Sequence, residues 1–180
     1  MNHILTDCVR ADSEYGHLLK AITDAGKART PLPILVAGLC DGATDAMFIS
    51  LVKDLKAKDK RAVLILCPEE KECSRLQALM TRYGLRAEFF IGRDLTFYNM
   101  TASHAYEHER LKVLSELLEG ALDAVLTTPD AALGYTIPPE RLIGATLRVE
   151  YGKTTLDPSA FAEQLVRAGY VRAELVDAPG

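Results

Sequence analysis

No apolar run in this chain approaches the roughly 20 residues that a membrane-spanning helix needs. The N-terminal stretch MNHILTDCVRADSE also lacks the apolar core of a secretory signal. Basic charge is in deficit: 21 Lys and Arg stand against 25 Asp and Glu, a formal net charge of −4. Surfaces that track nucleic-acid phosphates are usually basic, so this balance argues against one, although it leaves room for a local patch. The four cysteines, Cys8, Cys40, Cys67 and Cys73, form no CxxC pair. Cys40 and Cys67 sit in apolar, strand-like contexts where cysteine acts as a small hydrophobe, which suits a reducing cytoplasm. There is no internal repeat and no low-complexity segment. What remains, 180 residues that are 48% hydrophobic and 26% charged, is enough for one ordinary domain or for one domain and part of another.

One further absence falls in the stretch around which the chain is organised. Pro33 to Leu55 reads as a buried strand, a glycine-bearing turn and an amphipathic helix, the order in which phosphate-binding loops are built. On the GxxxxGK[ST] template Ala37 takes the first glycine's place and Gly42 the second's. Ala43 stands where the lysine belongs, and Thr44 keeps the hydroxyl position. Without the ammonium that reads the outer phosphates, Gly38, Gly42, Ala43 and Thr44 are expected to form a degenerate phosphate loop, with Asp41 and Asp45 making it a structural turn.

Around this centre the periodicities alternate. Ser13 to Ala25 is a predicted helix with Ser13 as N-cap and Gly26 as stop. Ile34 to Ala37 is the expected central strand, and Met47, Leu51 and Leu55 form a stripe on the helix after it, flanked by Phe48 and Val52. AVLILCP, from Ala62 to Pro68, reads as a parallel strand covered on both faces. Glu69 to Tyr83 is a helix with Cys73, Leu76, Leu79, Met80 and Tyr83 inward and Gly84 as cap. A strand at Glu88 to Ile91, a loop from Gly92 to Ala102, a helix from His104 to Leu118 capped by Ser103, and a strand at Asp123 to Thr127 complete the series. Strands alternating with helices predict an α/β fold with a parallel sheet over residues 1–131. The pattern then changes: LGYTIPPERLIG is irregular, Thr146 to Tyr151 alternates, and Asp157 and Pro158 open a helix that Gly169 ends. Tyr170 to Val176 alternates again, Val171, Ala173 and Leu175 on one face and Arg172 and Glu174 on the other. Residues 132–180 thus read as part of a small α+β domain, too short to bury a core alone.

Three other patterns carry a chemical reading and a plainer one. HAYEH, His104 to His108, matches an inverted zinc-peptidase signature, but no third ligand is evident and two solvated histidines are the expected reading, with no metal. Phe97 and Tyr98 are expected to pack under their loop, since no basic cluster flanks them. Arg110 is expected at the surface in an ion pair.

The ordered segments GLCDGATD, LILCPEE, RDLTFYN, EHERLKVL, VLTTPDAAL and VEYGKTTLDPSAFAEQLVRAGYVRAELVDAPG resemble the N-terminal, UvrB-homologous region of bacterial transcription-repair coupling factors, over nearly the whole chain. UvrB itself keeps the loop lysine and inserts a long Tyr-rich hairpin, where this chain has only Thr96 to Ser103. The resemblance implies a helicase-like first domain that has lost ATP hydrolysis and needs no cofactor, followed by part of a domain that binds UvrA. It implies that contacts to stalled RNA polymerase and to DNA, and an ATP-dependent translocase motor, belong to later parts of a longer protein. It also places the partner surface at a GYxR segment, here Gly169, Tyr170 and Arg172, with Glu174 beside it. Some coupling factors carry the arginine directly after the tyrosine, where this chain has Val171. The rival readings are an ATP-dependent UvrB-like repair helicase and a zinc hydrolase built on His104 and His108.

Overall fold

The computed structural model describes residues 4–27, 30, 32–40, 42–59, 61–92, 105–147, 149–152 and 157–174. In chain order they form α1 (Ile4–Ala11), α2 (Ser13–Ala25), α3 (Ala43–Asp59), β1 (Val63–Leu66), α4 (Glu70–Arg82), β2 (Ala87–Phe90) and α5 (Ala105–Leu118). These are followed by β3 (Ala124–Thr127), α6 (Pro129–Leu133), α7 (Pro139–Ala145) and α8 (Pro158–Arg167). The strands make a mixed α/β arrangement around one parallel sheet in the order β1–β3–β2, with Ala124 in register with both Val63 and Ala87.

The central strand is the one buried on both faces. Ala124 and Leu126 look onto α3 and α4, where they cluster with Ile49, Val52, Leu76 and Met80 and with Ile65 of β1. Val125 looks the other way, onto Phe90, Val113 of α5, Leu122 and Ala131 of α6. Each Val- or Leu-sized side chain so buried contributes about 1.5–3 kcal/mol, which explains why four-residue strands suffice. α4 follows its predicted periodicity, with Cys73, Leu76 and Met80 buried. It ends at Gly84, whose φ of +76° is a conformation that costs a residue without Cβ little. There the Leu85 N–H donates to the Met80 carbonyl (3.1 Å) and the Gly84 N–H to that of Thr81 (2.9 Å), and Leu85 tucks into the core.

α3 buries two sides. Ile49 and Val52 face the sheet, while Met47 and Leu51 meet Tyr15 of α2, with Phe48 touching both clusters. The N-terminal helices are fastened to it by a polar clasp. Arg10 of α1 donates to both Asp54 oxygens (Nε 3.1 Å, Nη2 2.6 Å), and the Tyr15 hydroxyl donates to Oδ2 at 2.7 Å. Burial works to raise the Asp54 carboxyl, but the hydrogen bonds from Arg10 and Tyr15 outweigh it and hold the group below its ordinary value of 3.8. A carboxylate depressed in the folded state stabilises above its unfolded pKa and loses that contribution as pH falls through the folded one. The clasp is therefore expected to release below about pH 4, loosening α1 and α2 ahead of the sheet. Amide exchange across a pH series checks this: Asp54→Asn removes the acid-dependent step, and an unchanged step assigns it elsewhere.

The structure corrects several expectations. Ile34 to Ala37 is not a strand of the sheet; residues 32–40 have no regular structure and are exposed. Among the described residues β1 is an edge strand, and Leu64 (61% exposed) and Leu66 (56%) lack the covering expected on both faces. Cys40, expected as a small hydrophobe, is exposed, whereas Cys67 and Cys73 are buried. The N-cap of α2 is Asp12, whose Oδ1 accepts from the Glu14 N–H at 2.8 Å, one residue ahead of Ser13. Within residues 132–174 the described residues form helices and no strand: α7 replaces part of the irregular stretch, and neither Val149–Tyr151 nor Tyr170–Ala173 is a strand.

Candidate functional site

The turn before α3 has two left-handed glycines and spends part of its backbone hydrogen bonding internally. Gly38 and Gly42 have φ of +81° and +82°, left-handed conformations strained for any residue with a Cβ. The Ala43 N–H, one of those a phosphate would use, donates to the Cys40 carbonyl at 3.0 Å, and the Gly42 carbonyl accepts from Ala46 at 3.2 Å. Gly42 is exposed, and Ala43 and Thr44 are half-buried at the start of α3. Asp41 lies outside the described residues.

The charge at this helix start is already matched. Asp45, in the first turn of α3, presents a carboxylate where the helix dipole is positive. Arg75 of α4 grips both of its oxygens at 2.7 Å and also donates to both oxygens of Glu72, at 2.9 and 2.6 Å. Hydrogen bonds to Glu72 and then to Asp45 raise the Arg75 guanidinium above its ordinary range, and its hydrogen bonds hold Glu72 below the usual carboxylate range. This cluster places two carboxylates around one guanidinium, so an incoming phosphate meets negative charge without a cation to spare. Titration with micromolar ATP and Mg²⁺ is therefore expected to give a flat calorimetric trace, and Ala43→Lys alone is expected to leave it flat because Asp45 remains. A saturable isotherm from the unaltered chain overturns this reading of the loop.

Beside the loop lies a cleft of about 690 Å³ between α1, α2 and the extended segment, lined by Val9, Tyr15, Leu18, Ile34, Val36 and Met47 among others. Its walls are largely apolar, with Asp12, Glu14 and His17 at the α2 side.

Arg110 is not the exposed ion-pair residue expected. It is 9% exposed, its guanidinium lies 3.9 Å from the centroid of Phe90, and Nη1 donates to the Ile91 carbonyl. It closes the end of β2 from α5, as a stacked and hydrogen-bonded arginine does. Phe97, Tyr98 and His104 lie outside the described residues, so HAYEH is described only from Ala105 onward; His108 is exposed on α5. Among the described residues no group of three or more His, Cys, Asp or Glu side chains is placed to hold a metal.

The second candidate surface is at the other end of the chain. Asp157 caps α8 as expected, its Oδ1 accepting from Ser159 N–H at 3.0 Å, and Pro158 occupies the first turn. At the far end Gly169, with φ of +100°, lets Tyr170 N–H donate to the Leu165 carbonyl at 3.0 Å. The chain then runs irregularly through Tyr170 (66% exposed) and Val171 (90%) to Arg172 and Glu174, both exposed. The inward face expected of Val171 is therefore not formed, and Leu175 lies outside the described residues. Tyr170, Arg172 and Glu174 are together on one exposed stretch, as expected, but not on a strand. Sequence reasoning missed the Asp45–Arg75–Glu72 cluster, whose partners are 30 residues apart for Asp45 and Arg75. It also missed a cleft of about 640 Å³ between α7 and α8 that carries Arg141 and Arg167.

Among the described residues no helix is long and apolar enough to cross a membrane. No family model, curated protein or solved structure matches this chain.

Proposed function

We infer that this chain is a non-catalytic adaptor, the N-terminal module of a bacterial transcription-repair coupling factor, which recruits the excision-repair protein UvrA to stalled RNA polymerase in the cytoplasm. In this reading residues 1–131 are a degenerate helicase-like domain and residues 132–180 part of the UvrA-binding domain, with Tyr170, Arg172 and Glu174 at the contact. The observation that carries it is the loop of Gly38, Gly42, Ala43 and Thr44: it retains two left-handed glycines ahead of a helix, yet has alanine at the lysine position and an acidic first turn tied to Arg75. A phosphate loop stripped of its phosphate chemistry suits an adaptor descended from a motor. The ordered motifs that resemble the coupling factors supply the partner, and the apolar and aromatic exposure from the end of α6 onward supplies a surface for it. Leu133, Tyr135, Ile143, Tyr151 and Tyr170 are all more than half exposed there. Neither an ATP-dependent UvrB-like helicase nor a zinc hydrolase is favoured by the loop or by α5.

Interferometry with immobilised UvrA and the purified chain tests the reading. Saturable binding that persists without nucleotide on the chain is expected. Absence of binding to UvrA, with retained folding by circular dichroism, removes it.

A further inference from the structure

We propose that the C-terminal end of the parallel sheet carries a binding site for one carboxylate group, held by Arg110 and Tyr106 of α5, and that its occupant is a small free monocarboxylate. The first observation is a charge without a mate. Arg110 is 9% exposed, and among the described residues no Asp or Glu side chain pairs with it. A guanidinium has about five N–H donors, and the one bond made here runs from Nη1 to the Ile91 carbonyl. A lone charge out of water is costly, so buried cations are normally paired. The Phe90 ring, 3.9 Å away, offsets part of that cost but supplies no acceptor in the guanidinium plane.

A second group at the same place also lacks an acceptor. Tyr106 stands one helical turn before Arg110, its ring centroid 6.0 Å from the guanidinium carbon. Its hydroxyl is buried and has no hydrogen-bond partner among the described residues. Buried hydroxyls are nearly always satisfied, by protein, water or a bound group. A cationic donor and a neutral one, both buried and both short of an acceptor, call for an anion. The position agrees, because ligands of parallel α/β sheets bind outside the carboxyl ends of the strands. Ile91 and Gly92 follow β2 there, and Thr128 follows β3 with a hydroxyl that caps nothing on α6. A Cβ on Gly92 would lie 3.8 Å from that hydroxyl.

Geometry and charge choose the class of anion. Phe90 covers one face of the guanidinium, so its free donors lie along the edge. A flat group with two oxygens meets that edge in its own plane with paired bonds. Charge sets the limit at one negative charge, since Glu70 Oε1 is 3.7 Å from where a Cβ on Gly92 would be. A phosphate monoester, nearly doubly charged at neutral pH, is repelled by that carboxylate. Burial of both donors admits a single functional group and not a broad surface. The site is separate from the loop before α3 and from residues 169–174, so its failure leaves the adaptor reading standing.

NMR of the purified chain, titrated with sodium acetate or with sodium chloride at equal ionic strength, tests the site. Saturable movement of the Arg110 Nε–H signal with acetate, and none with chloride, is expected. Tyr106→Phe keeps the ring beside the guanidinium and removes only the hydroxyl. It is expected to weaken acetate binding at least fivefold without lowering the thermal midpoint in chloride, since a hydroxyl with no partner holds nothing together. Arg110→Met is expected to abolish the response; where that variant fails to fold, Tyr106→Phe decides alone. A lowered midpoint for Tyr106→Phe in chloride shows the hydroxyl already bonded within the chain and overturns the proposal. Inorganic phosphate binding more tightly than acetate overturns it too, as does an equal response to chloride. So does no response to acetate, the result expected where a carboxylate of the chain itself fills the place.

Discussion

Changing Arg172 to glutamate is expected to weaken binding to UvrA by at least about 2 kcal/mol, roughly thirtyfold, while leaving the fold in place. The residue is exposed, and among the described residues no hydrogen bond or ion pair engages it. Its removal therefore costs the chain little, since exposed substitutions away from special features stay within about 0.5 kcal/mol. On the partner side the balance differs. A guanidinium offers a planar fork to a carboxylate, and burying that pair at an interface makes a reversed charge costly. Arg172→Lys separates charge from geometry: a contact made by the fork loses most of the affinity, whereas one made by charge alone keeps it. The irregular backbone here alters the expectation in one respect. On a strand Arg172 is fixed by its neighbours, but on this extended stretch ordering it on binding has an entropic cost. Variants that stiffen 170–174 are thus expected to bind somewhat more tightly. Equal affinity with and without the charge reversal places the contact elsewhere, the exposed Tyr135 and Tyr151 being the next residues to change.

The sheet was legible in the sequence where burial alone decides structure. AVLT at β3 is buried throughout, and a short uncharged apolar run bounded by turns has few other places to go. Helix ends were equally legible, because Gly84 and Gly169 act locally through a conformation that other residues avoid. Ile34 to Ala37 looks the same by composition as β1, yet a strand exists only where a partner lies alongside, and periodicity says nothing about partners. The alternation at Tyr170 to Ala173 failed for the same reason, leaving Val171 outward. α1 escaped notice because its pattern is inverted: Ile4 and Leu5 are exposed and Thr6 is buried. At the candidate site the missing lysine was readable residue by residue. The Arg75 bridge was not, since its partner Asp45 is on another helix and surface charges carry little sequence signal for pairing.

Replacing Asp123 by alanine is expected to be the most damaging single polar substitution, at about 3 kcal/mol. Asp123 sits at the entry to β3, 2% exposed, where the sheet and α3 come together. Its Oδ2 accepts from the Arg86 N–H at 2.8 Å and its own N–H donates to the Arg86 carbonyl at 2.7 Å, which fixes the start of β2 beside β3. Its Oδ1 meets the Lys56 ammonium near the end of α3, so one carboxylate ties a strand entry and a helix end to the centre of the sheet. Alanine keeps the backbone bond but leaves the part-buried Arg86 N–H without its carboxylate partner, the expensive half of losing a hydrogen bond. It also leaves Lys56, which is half exposed and turns to water at small cost. Lys56→Ala alone is therefore expected to cost under about 1 kcal/mol, and the double variant little more than Asp123→Ala. Asparagine at 123 retains an acceptor for Arg86 and is expected to recover roughly half the loss. Thermal unfolding measures this directly: about 3 kcal/mol lowers the midpoint of a chain this size by about 6–12 °C. A shift under about 2 °C for Asp123→Ala shows that water replaces the carboxylate at Arg86 and that the strand entry is held by packing at Leu85, Leu122 and Ala124 alone.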